Sequence, residues 1–499
     1  MVSRKDIMEL FPYDTPRQEQ AELLTTIQKH WKTTEVFVIV APTATGKTSL
    51  AYTIGRYAGN TSVITPTNML VRQFADEFEP SIGKLMKRSQ YTCPAGGALL
   101  NRDVTCEEGY TKLGGRKTLG CSMQCEYIKD LRRARSRGVG IYNYYLYMAH
   151  KLFRPTLIVD EAHGLIPTIQ DLEAKKLWQH DWRFPNSLRN YADLAWWLES
   201  LEDYQKTDLL LELEEELHST RPKYIVERTK DWWRRTTPPE QRSLLKLLPI
   251  DIRDAMPHFW PAKTKKIVLM SATISRKDIE ALGLDRRRVL YLEATSPIPI
   301  SNRPIIPINV VGVNAGNLKP ATKKIADYIK QTLLPKHEHE KGVIHATYQQ
   351  ARLLREYLGD LDGRIIYHDK TNTQTQFDKF TKAPPESGAV FVASGLYEGI
   401  DLAYDLGRWQ CIAKIPWLSL VDPAVKYKSQ QDEEWYIWET AKKTIQACGR
   451  ISRTPTDYGV TYVLDSTFER MRSKLVEYGL APQWWLEAIT KPASLDKPK

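Results

Sequence analysis

The stretch VFVIVAPTATGKTSLAYTIGRY, residues 36–57, joins an apolar run to a loop that ends in Gly-Lys-Thr and then to helix-compatible sequence. Five consecutive apolar residues rich in Val predict a buried strand. A strand, a loop and a helix in this order suit a phosphate-binding loop, because N–H groups at a helix N-terminus point at the phosphates. We therefore expect a nucleotide to be held by Thr43, Ala44, Thr45, Gly46, Lys47, Thr48 and Ser49.

Two side chains of this loop have defined expected roles. Lys47 is expected to reach the β- and γ-phosphates, and the hydroxyl of Thr48 is expected to ligate Mg²⁺. Ala41 and Ala44 stand where glycines often occur, and their methyl groups narrow the backbone conformations open to the loop. The nucleotide prediction therefore depends also on the residues that follow.

The segment TLIVDEAH, residues 156–163, ends a second apolar run on an acidic pair. Asp160 is expected to hold Mg²⁺ directly or through water, and Glu161 to take the proton from an attacking water. His163 is expected to lie close enough to sense the γ-phosphate. An acidic pair at the end of a strand is by itself more often a turn or a helix cap. Combined with Lys47, it predicts phosphoryl chemistry.

Short apolar runs recur along the chain in two sets. The first is VFVIV, SVIT, TLIVD and KIVLM, and the second is GVIHA, RIIYH, AVFVA, CIAKI and VTYVL. Continuous apolar strands suit parallel sheets covered by helices on both faces, so the predicted fold class is α/β with two parallel-sheet lobes. Four prolines in TSPIPISNRPIIP, residues 295–307, predict a linker between the lobes.

The composition is that of an ordinary globular protein. Of the 499 residues, 42% are hydrophobic and 26% are charged, and this length predicts about three or four domains. No run approaches the roughly 18 to 20 apolar residues that span a bilayer, and the start of the chain has no apolar stretch long enough for a signal peptide. We expect a soluble, cytoplasmic protein without a membrane partner.

The net charge of +11 is concentrated in one segment. Residues 81–138 hold twelve basic and five acidic side chains. This excess favours a polyanion such as nucleic acid as the partner. A solvated basic face is the alternative that charge alone leaves open.

Four of the six cysteines fall in the same segment, which points to a metal: Cys93, Cys106, Cys121 and Cys125. Four thiolates suit either an iron–sulfur cluster or tetrahedral Zn²⁺, and the spacing matches neither a ferredoxin nor a common zinc finger. The chemistry of the residues therefore leaves both metals open. Cys411 and Cys448 lie far away in apolar or motif contexts and are expected to be structural.

Together with further blocks, these motifs resemble in order and separation the XPD/DinG branch of the superfamily 2 helicases, over nearly the whole chain. FPYDTPRQEQ resembles the family's adenine-side motif, which implies that Arg17 and Gln20 help to position the base. VLMSATI resembles motif III, which in the family couples hydrolysis to nucleic-acid movement. The coupling residues implied here are His163, Ser271, Ala272 and Thr273.

The second half of the chain carries two more blocks of the same resemblance. ASGLYEGIDL resembles motif V, which implies nucleotide contacts from Gly399 and Asp401. QACGRISR resembles motif VI, which implies catalytic roles for Gln446, Arg450 and Arg453, with the two arginines as finger candidates. Arginines on a mobile lobe would make stabilisation of the γ-phosphate depend on closure.

The resemblance also implies an architecture of two RecA-like motor lobes with two insertions in the first lobe. It favours a [4Fe–4S] cluster over Zn²⁺ at the four cysteines, and a mainly helical insertion that resembles the Arch domain. The implied boundaries are residues 1–83, 138–163 and 262–296 for lobe 1, 84–137 for the cluster domain, 164–261 for the Arch-like insertion and 297–499 for lobe 2. The segment IYNYYLYM, residues 141–148, resembles the family segment before the acidic pair, and its tyrosines are expected to serve packing.

The activity that the resemblance implies is that of an ATP-dependent DNA helicase translocating 5′ to 3′. ATP, Mg²⁺ and the cluster are its implied cofactors, and single-stranded and forked DNA its partners. We expect a monomeric motor, associated with the nucleoid, of prokaryotic or viral origin. Two alternatives stay open: an ssDNA- or RNA-stimulated translocase that does not separate strands, and a metal-stabilised nucleic-acid-binding subunit with a vestigial ATPase.

Overall fold

The computed structural model describes most of the chain as two compact units. The first unit comprises residues 1–40 and 46–294, and the second comprises residues 41–45 and 295–499. Within the described residues, no helix has the length and apolar character needed to cross a membrane. The residues described are 6–114, 121, 125–185, 187–188, 191–217, 221–230, 243–369, 371–397 and 402–490.

Parallel strands organise the first unit. Its described strands are β1 (Val36–Val40), β2 (Thr61–Thr65), β3 (Gly83–Leu85), β4 (Val139–Asn143), β5 (Thr156–Asp160), β6 (Lys175–Trp178), β7 (Tyr224–Lys230), β8 (Ser243–Pro249), β9 (Lys266–Ser271) and β10 (Val289–Glu293). Seven of these form one sheet in the order β10-β1-β9-β5-β2-β4-β3, and all neighbouring pairs are parallel. The central strands β1, β2 and β5 are buried along their whole length, as their apolar runs predict.

Helices connect these strands and form the two insertions. They are α1 (Gln18–His30), α2 (Lys47–Ala58), α3 (Asn68–Phe78), α4 (Pro94–Leu100), α5 (Cys106–Lys112), α6 (Glu126–Ser136), α7 (Tyr144–Ala149), α8 (Leu165–Glu173), α9 (Gln179–Trp182), α10 (Tyr191–Glu199), α11 (Asp208–Leu217), α12 (Met256–Phe259) and α13 (Arg276–Ala281). Helix α3 is amphipathic: Val71, Phe74 and Phe78 recur at helical spacing and form its buried face.

The insertion after β5 contains a sheet that sequence patterning does not predict. Strands β6, β8 and β7 pair antiparallel in that order, and the apolar faces of α10 and α11 supply part of the core beside them. The sequence of β8, SLLKLLP, is rich in Leu, which is a good helix former. Pairing with two neighbours overrides that preference, so the expectation of a mainly helical insertion omits this sheet.

The second unit is built on another parallel sheet, in the order β11-β16-β15-β12-β14-β13. The α/β class with two parallel sheets is therefore confirmed. Its strands are β11 (Ile305–Val311), β12 (Gly342–Ala346), β13 (Ile365–Tyr367), β14 (Val390–Ser394), β15 (Trp409–Ile412) and β16 (Val460–Asp465). Its helices are α14 (Leu318–Tyr328), α15 (Leu334–Lys336), α16 (Tyr348–Leu358), α17 (Thr373–Lys382), α18 (Pro423–Gln431), α19 (Glu433–Cys448), α20 (Thr467–Glu477) and α21 (Gln483–Ala488).

One part of the predicted linker is a strand. Residues 305–307 were expected to belong to the proline-rich connection, but they begin β11. This strand lies at the edge of the sheet, where it pairs with β16 on one side and forms a single bridge from Ile305 to Ile489. An edge strand tolerates Pro307 because one of its sides needs no ladder hydrogen bond.

Candidate active site

Three neighbouring strands of the first unit end at the same edge of the sheet. Strand β9 lies between β1 and β5, and all three run parallel. Val40 pairs with Ser271, and Asp160 pairs with Met270. The carboxyl ends of the strands therefore bring Asp160 and Ser271 beside the start of α2, where Lys47 is the first helical residue. Ligands of open parallel sheets bind at this kind of edge.

The loop before α2 contains two residues with left-handed backbone. Gly46 has φ 76°, and Ala44 has φ 68°. A Cβ atom at Gly46 would lie 2.4 Å from Gln20 Nε2 and 2.9 Å from Arg17 Nη2, so another residue would displace the ends of these side chains and would also adopt an unfavourable backbone conformation. Ala44 adopts a conformation that costs a residue with a Cβ about 1–2 kcal/mol, which the rest of the loop must offset. The buried hydroxyl of Thr45 donates to the Pro42 carbonyl at 2.8 Å and helps to shape this turn.

A cavity of about 400 Å³ lies beside the start of α2. Gln20 Nε2 donates to Ser49 Oγ at 3.3 Å, and Ser49 Oγ donates to the Gly46 carbonyl at 2.9 Å. The residues predicted to hold the base and those predicted to hold the phosphates therefore share one wall. The cavity is lined by Phe11, Tyr13, Thr15, Arg17, Gln20, Gly46, Thr48, Ser49 and Glu77.

Four of these lining residues, Phe11, Tyr13, Thr15 and Glu77, were not predicted from the sequence. Phe11 and Tyr13 belong to FPYDTPRQEQ and pack edge to face with their ring centroids 5.8 Å apart. Tyr13 donates a hydrogen bond to Glu77, which raises the pKa of Tyr13 to about 12. The aromatic residues beside Arg17 could have been noticed in the sequence. Glu77 carries no such signal, because it lies in an ordinary amphipathic helix.

The acidic pair lies next to Lys47. Lys47 Nζ and Glu161 Oε1 are 3.5 Å apart, and the side chains are 13% and 29% exposed. Asp160 is buried. Burial, followed by the neighbouring charge of Glu161, raises the pKa of Asp160 to about 7, while Lys47 opposes this shift. Burial disfavours the charged form of this carboxyl group, and a bound cation would restore it, which fits the predicted role of Asp160 in holding Mg²⁺.

The predicted coupling residues form a connected chain in the first unit. His163 Nδ1 lies 3.3 Å from Glu161 Oε2 and 2.9 Å from Ser271 Oγ. Ser271 Oγ in turn accepts a hydrogen bond from the backbone N–H of Thr273 at 3.1 Å. Ala272 lies between these two residues, in the bend that follows β9. The contacts link the general-base candidate to the loop after β9, which a change at the γ-phosphate could move.

The motif VI residues lie at the end of α19 in the second unit. Gln446 is buried in the last turn of this helix, and Arg450 and Arg453 follow it. The buried Asp457 shapes the following loop by accepting hydrogen bonds from the N–H groups of Arg453 and Tyr404 at 3.0 and 3.1 Å. The predicted motif V residues Gly399 and Asp401 lie outside the described residues.

Local pairing brings two of the cysteines together. Thr92 and Thr105 form an antiparallel bridge, and on either side of it the Cys93 N–H donates to the Val104 carbonyl at 2.9 Å and the Cys106 N–H to the Tyr91 carbonyl at 2.8 Å. The sulfur of Cys93 fits between α4 and α5, where a Cβ at Gly96 or at Gly109 would lie 3.0 Å from it. Burial raises the pKa of Cys106, and the hydrogen bond and charge of Arg88 oppose this shift.

Arg88 packs against this cysteine group. Its guanidinium carbon lies 4.2 Å from the ring centroids of both Tyr110 and Tyr127, and Nη1 donates to Cys106 Sγ at 3.5 Å. The described residues contain no group of three or more His, Cys, Asp or Glu side chains arranged to hold a metal ion. The thiols of Cys93 and Cys106 nevertheless have the donor chemistry that a thiolate-ligated metal needs, and Arg88 adds a cation beside Cys106.

Comparison with known proteins identifies two domains. Residues 331–481 match the helicase C-terminal domain, and residues 14–180 match the res subunit of type III restriction enzymes. A segment of 119 residues is 32% identical to the regulator of telomere elongation helicase 1 homolog of Culex quinquefasciatus, covering 21% of this chain and 12% of that protein. The homolog from Arabidopsis thaliana is 33% identical over 106 residues, covering 17% of this chain and 10% of its own length.

The fold resembles that of solved XPD proteins. An XPD helicase superposes with a TM-score of 0.64 over 96% of this chain and 100% of its own, at 16% identity. The Xpd4 structure from S. tokodaii has a TM-score of 0.56 with the same coverage, at 14% identity. The chain therefore combines a region that matches the helicase C-terminal domain with a region that matches the res subunit of type III restriction enzymes, in a fold like that of solved XPD proteins.

Proposed function

We propose that this chain hydrolyses ATP to translocate 5′ to 3′ on single-stranded DNA and to separate duplex strands. The observation that carries the proposal is the contact chain from Lys47 through Glu161 and His163 to Ser271. It joins a phosphate-binding cation, a general-base candidate and a candidate coupling loop at one sheet edge. The two regulator of telomere elongation helicase 1 homologs, which are named as helicases, support the same activity.

In this proposal the base of ATP enters the cavity beside Arg17 and Gln20, and the phosphates meet the start of α2. Lys47 leaves Glu161 to contact the phosphates, which frees the Glu161 carboxylate to accept the proton of the attacking water. Thr48 and Asp160 would hold Mg²⁺, which neutralises phosphate charge when it is bound. We assign Gln446, Arg450 and Arg453 the catalytic roles, and Gly399 and Asp401 the nucleotide contacts, that the family resemblance implies.

We infer the nucleic-acid partner from the positive charge of residues 81–138 and from the similarity to helicases. Residues 81–138 carry the basic excess, and phosphate-rich strands are attracted to such a surface. We propose single-stranded and forked DNA as the partner of a monomeric motor in the cytoplasm, with a nucleoid association in a prokaryotic or viral setting. RNA-stimulated or strand-remodelling activity remains the rival function.

The test is strand displacement with ATP on two duplexes, one with a 5′ single-stranded tail and one with a 3′ tail. We expect unwinding of the 5′-tailed duplex alone, and a Lys47→Ala preparation controls for contaminating helicases. Unwinding only from the 3′ tail would contradict the proposed direction. DNA- or RNA-stimulated hydrolysis without unwinding would favour a translocase, and binding without any hydrolysis would favour the vestigial ATPase.

We propose a [4Fe–4S] cluster at Cys93, Cys106, Cys121 and Cys125, with Zn²⁺ as the alternative. The hydrogen-bonded pairing of the segments that carry Cys93 and Cys106 supports a shared ligand. Such a cluster, when bound, would hold the insertion between β3 and β4 together. Arg88 would stabilise the thiolate of Cys106 through its charged hydrogen bond.

Replacing Cys106 by Ser should remove the metal from protein purified without oxygen. Oxygen is a harder ligand than a thiolate sulfur and holds iron–sulfur clusters poorly. The matched control is Cys411→Ser, because Cys411 is also buried but lies in β15. Elemental analysis should find about four irons per chain in the control and few in the Cys106 variant. Zinc in the control identifies the alternative metal, and equal metal contents in the two variants contradict the site.

A further inference from the structure

Tyr144 contacts the backbone of the acidic pair from inside the protein. It is the first residue of α7, and its side chain is completely buried. The hydroxyl donates to the Asp160 carbonyl at 2.7 Å and to the Glu161 carbonyl at 2.9 Å. One hydroxyl proton is therefore shared between the two successive carbonyls that flank the Glu161 side chain.

Sharing one donor restricts the backbone at Glu161. In an extended strand, successive carbonyls point in opposite directions, so they cannot face the same hydroxyl. Glu161 has φ 50° and ψ 49°, a left-handed conformation in which its two flanking carbonyls point the same way. This conformation is unfavourable for a residue other than glycine, and it persists only where the surroundings hold it.

The turn at Glu161 sets the direction in which the side chain leaves the backbone. The direction of the Cα–Cβ bond follows from φ and ψ, and from this point the side chain reaches Lys47 and His163 at 3.5 and 3.3 Å. A general base must lie within hydrogen-bond distance of the water it deprotonates. A displacement of about 1 Å can lower the rate about 100-fold.

We propose that Tyr144 is a positioning residue for ATP hydrolysis, which holds the turn that orients Glu161. The inference rests on the proposed ATPase function, and it assigns a role beyond packing to one tyrosine of IYNYYLYM. Tyr144 is not among the residues that line the cavity beside α2. It acts through the backbone of Asp160 and Glu161, so its effect should appear in the rate of hydrolysis and not in nucleotide binding.

The same segment provides matched controls. Tyr142 and Tyr147 are also completely buried, and each donates its hydroxyl to a backbone carbonyl at 3.1 Å. The acceptor of Tyr142 is Leu152 and that of Tyr147 is Phe259, both away from the acidic pair. Replacing each tyrosine by Phe removes a buried hydrogen bond to a backbone carbonyl, so the unfolding temperatures of all three variants should fall. The hydroxyl of Tyr142 also contacts Ser62 Oγ, which makes Tyr147→Phe the simpler control.

The experiment compares the Phe variants in steady-state hydrolysis. Tyr144→Phe should lower kcat about tenfold to 100-fold, with KM and the affinity for a non-hydrolysable ATP analogue within about twofold. Tyr147→Phe and Tyr142→Phe should keep kcat within about twofold. Equal kcat values in all three variants would overturn the proposal, because a general loss of packing would affect them alike.

Two further measurements separate positioning from stability. In a Glu161→Gln background, adding Tyr144→Phe should not lower the single-turnover rate further, because a residue that acts through Glu161 loses its effect without it. Hydrogen–deuterium exchange of residues 156–165 should become faster in Tyr144→Phe than in Tyr147→Phe. This exchange does not depend on hydrolysis. If the wild-type protein hydrolyses no ATP, the proposed function fails, and unchanged exchange would separately refute the role of Tyr144.

Discussion

A Glu161→Gln variant is expected to hydrolyse ATP about 100-fold more slowly than the wild-type protein, or slower still. Gln keeps the size of Glu but cannot accept a proton from water at neutral pH. Because Lys47 is still present to bind the phosphates, affinity for ATP should stay within about threefold. Steady-state hydrolysis with single-stranded DNA measures the rate, and equilibrium binding of a fluorescent ATP analogue measures the affinity.

Glu79→Gln is a suitable control for this variant. Glu79 also pairs with a lysine, since its Oε2 lies 2.9 Å from Lys84 Nζ, and its exposure of 35% is close to the 29% of Glu161. This change removes a comparable charge from the same unit, and its kcat should equal that of the wild type. Substantial hydrolysis by the Glu161 variant would exclude Glu161 as the general base.

Asp160→Asn is expected to abolish hydrolysis and yet to stabilise the protein in the absence of Mg²⁺. Asn loses the charge that would attract the metal but retains an oxygen at the Oδ1 position. This oxygen can still accept the Glu161 N–H, which in the wild type donates to Oδ1 at 3.0 Å. Removing a buried charge that lacks a metal relieves the penalty of its burial.

The expected gain depends on pH. In the folded state the pKa of Asp160 is raised to about 7, chiefly by burial, against an unfolded value of about 3.9. The folded protein therefore binds this proton more tightly, and its stability falls as pH rises from about 4 to about 7. Above pH 7 the variant should be more stable than the wild type by about 4 kcal/mol, and near pH 4 the two should be equal.

Urea unfolding at pH 5 and pH 8 in the presence of a chelator measures this difference. Adding Mg²⁺ and ATP should raise the stability of the wild type more than that of the variant, because ligands that bind only the folded state stabilise it. If the variant were less stable than the wild type at pH 8 without Mg²⁺, the charged carboxylate of Asp160 would stabilise the folded protein through interactions other than metal binding. Hydrolysis by the Asp160→Asn variant at the wild-type rate would exclude a role of Asp160 in binding the metal.

Local sequence was sufficient for the strands that carry the chemistry. The runs VFVIV and TLIVD form β1 and β5 within the predicted residues, because continuous apolar residues between polar loops leave few alternatives to a buried strand. The motif residues Lys47 and Glu161 were predicted from residue type and order, and the structure brings their side chains together. Where local preference and pairing disagreed, as in the Leu-rich β8, the prediction missed the strand.

The α/β class, the Gly-Lys-Thr loop, the acidic pair and the four closely spaced cysteines could be predicted from the sequence, because each is encoded in neighbouring residues. Which distant groups meet depends on the tertiary structure. His163 and Ser271 are 108 residues apart in the chain and are joined because β9 lies beside β5. Tyr144 reaches the carbonyls of Asp160 and Glu161 for the same kind of reason. Strand order sets such contacts, and it depends on the packing of the whole unit, which no local pattern records.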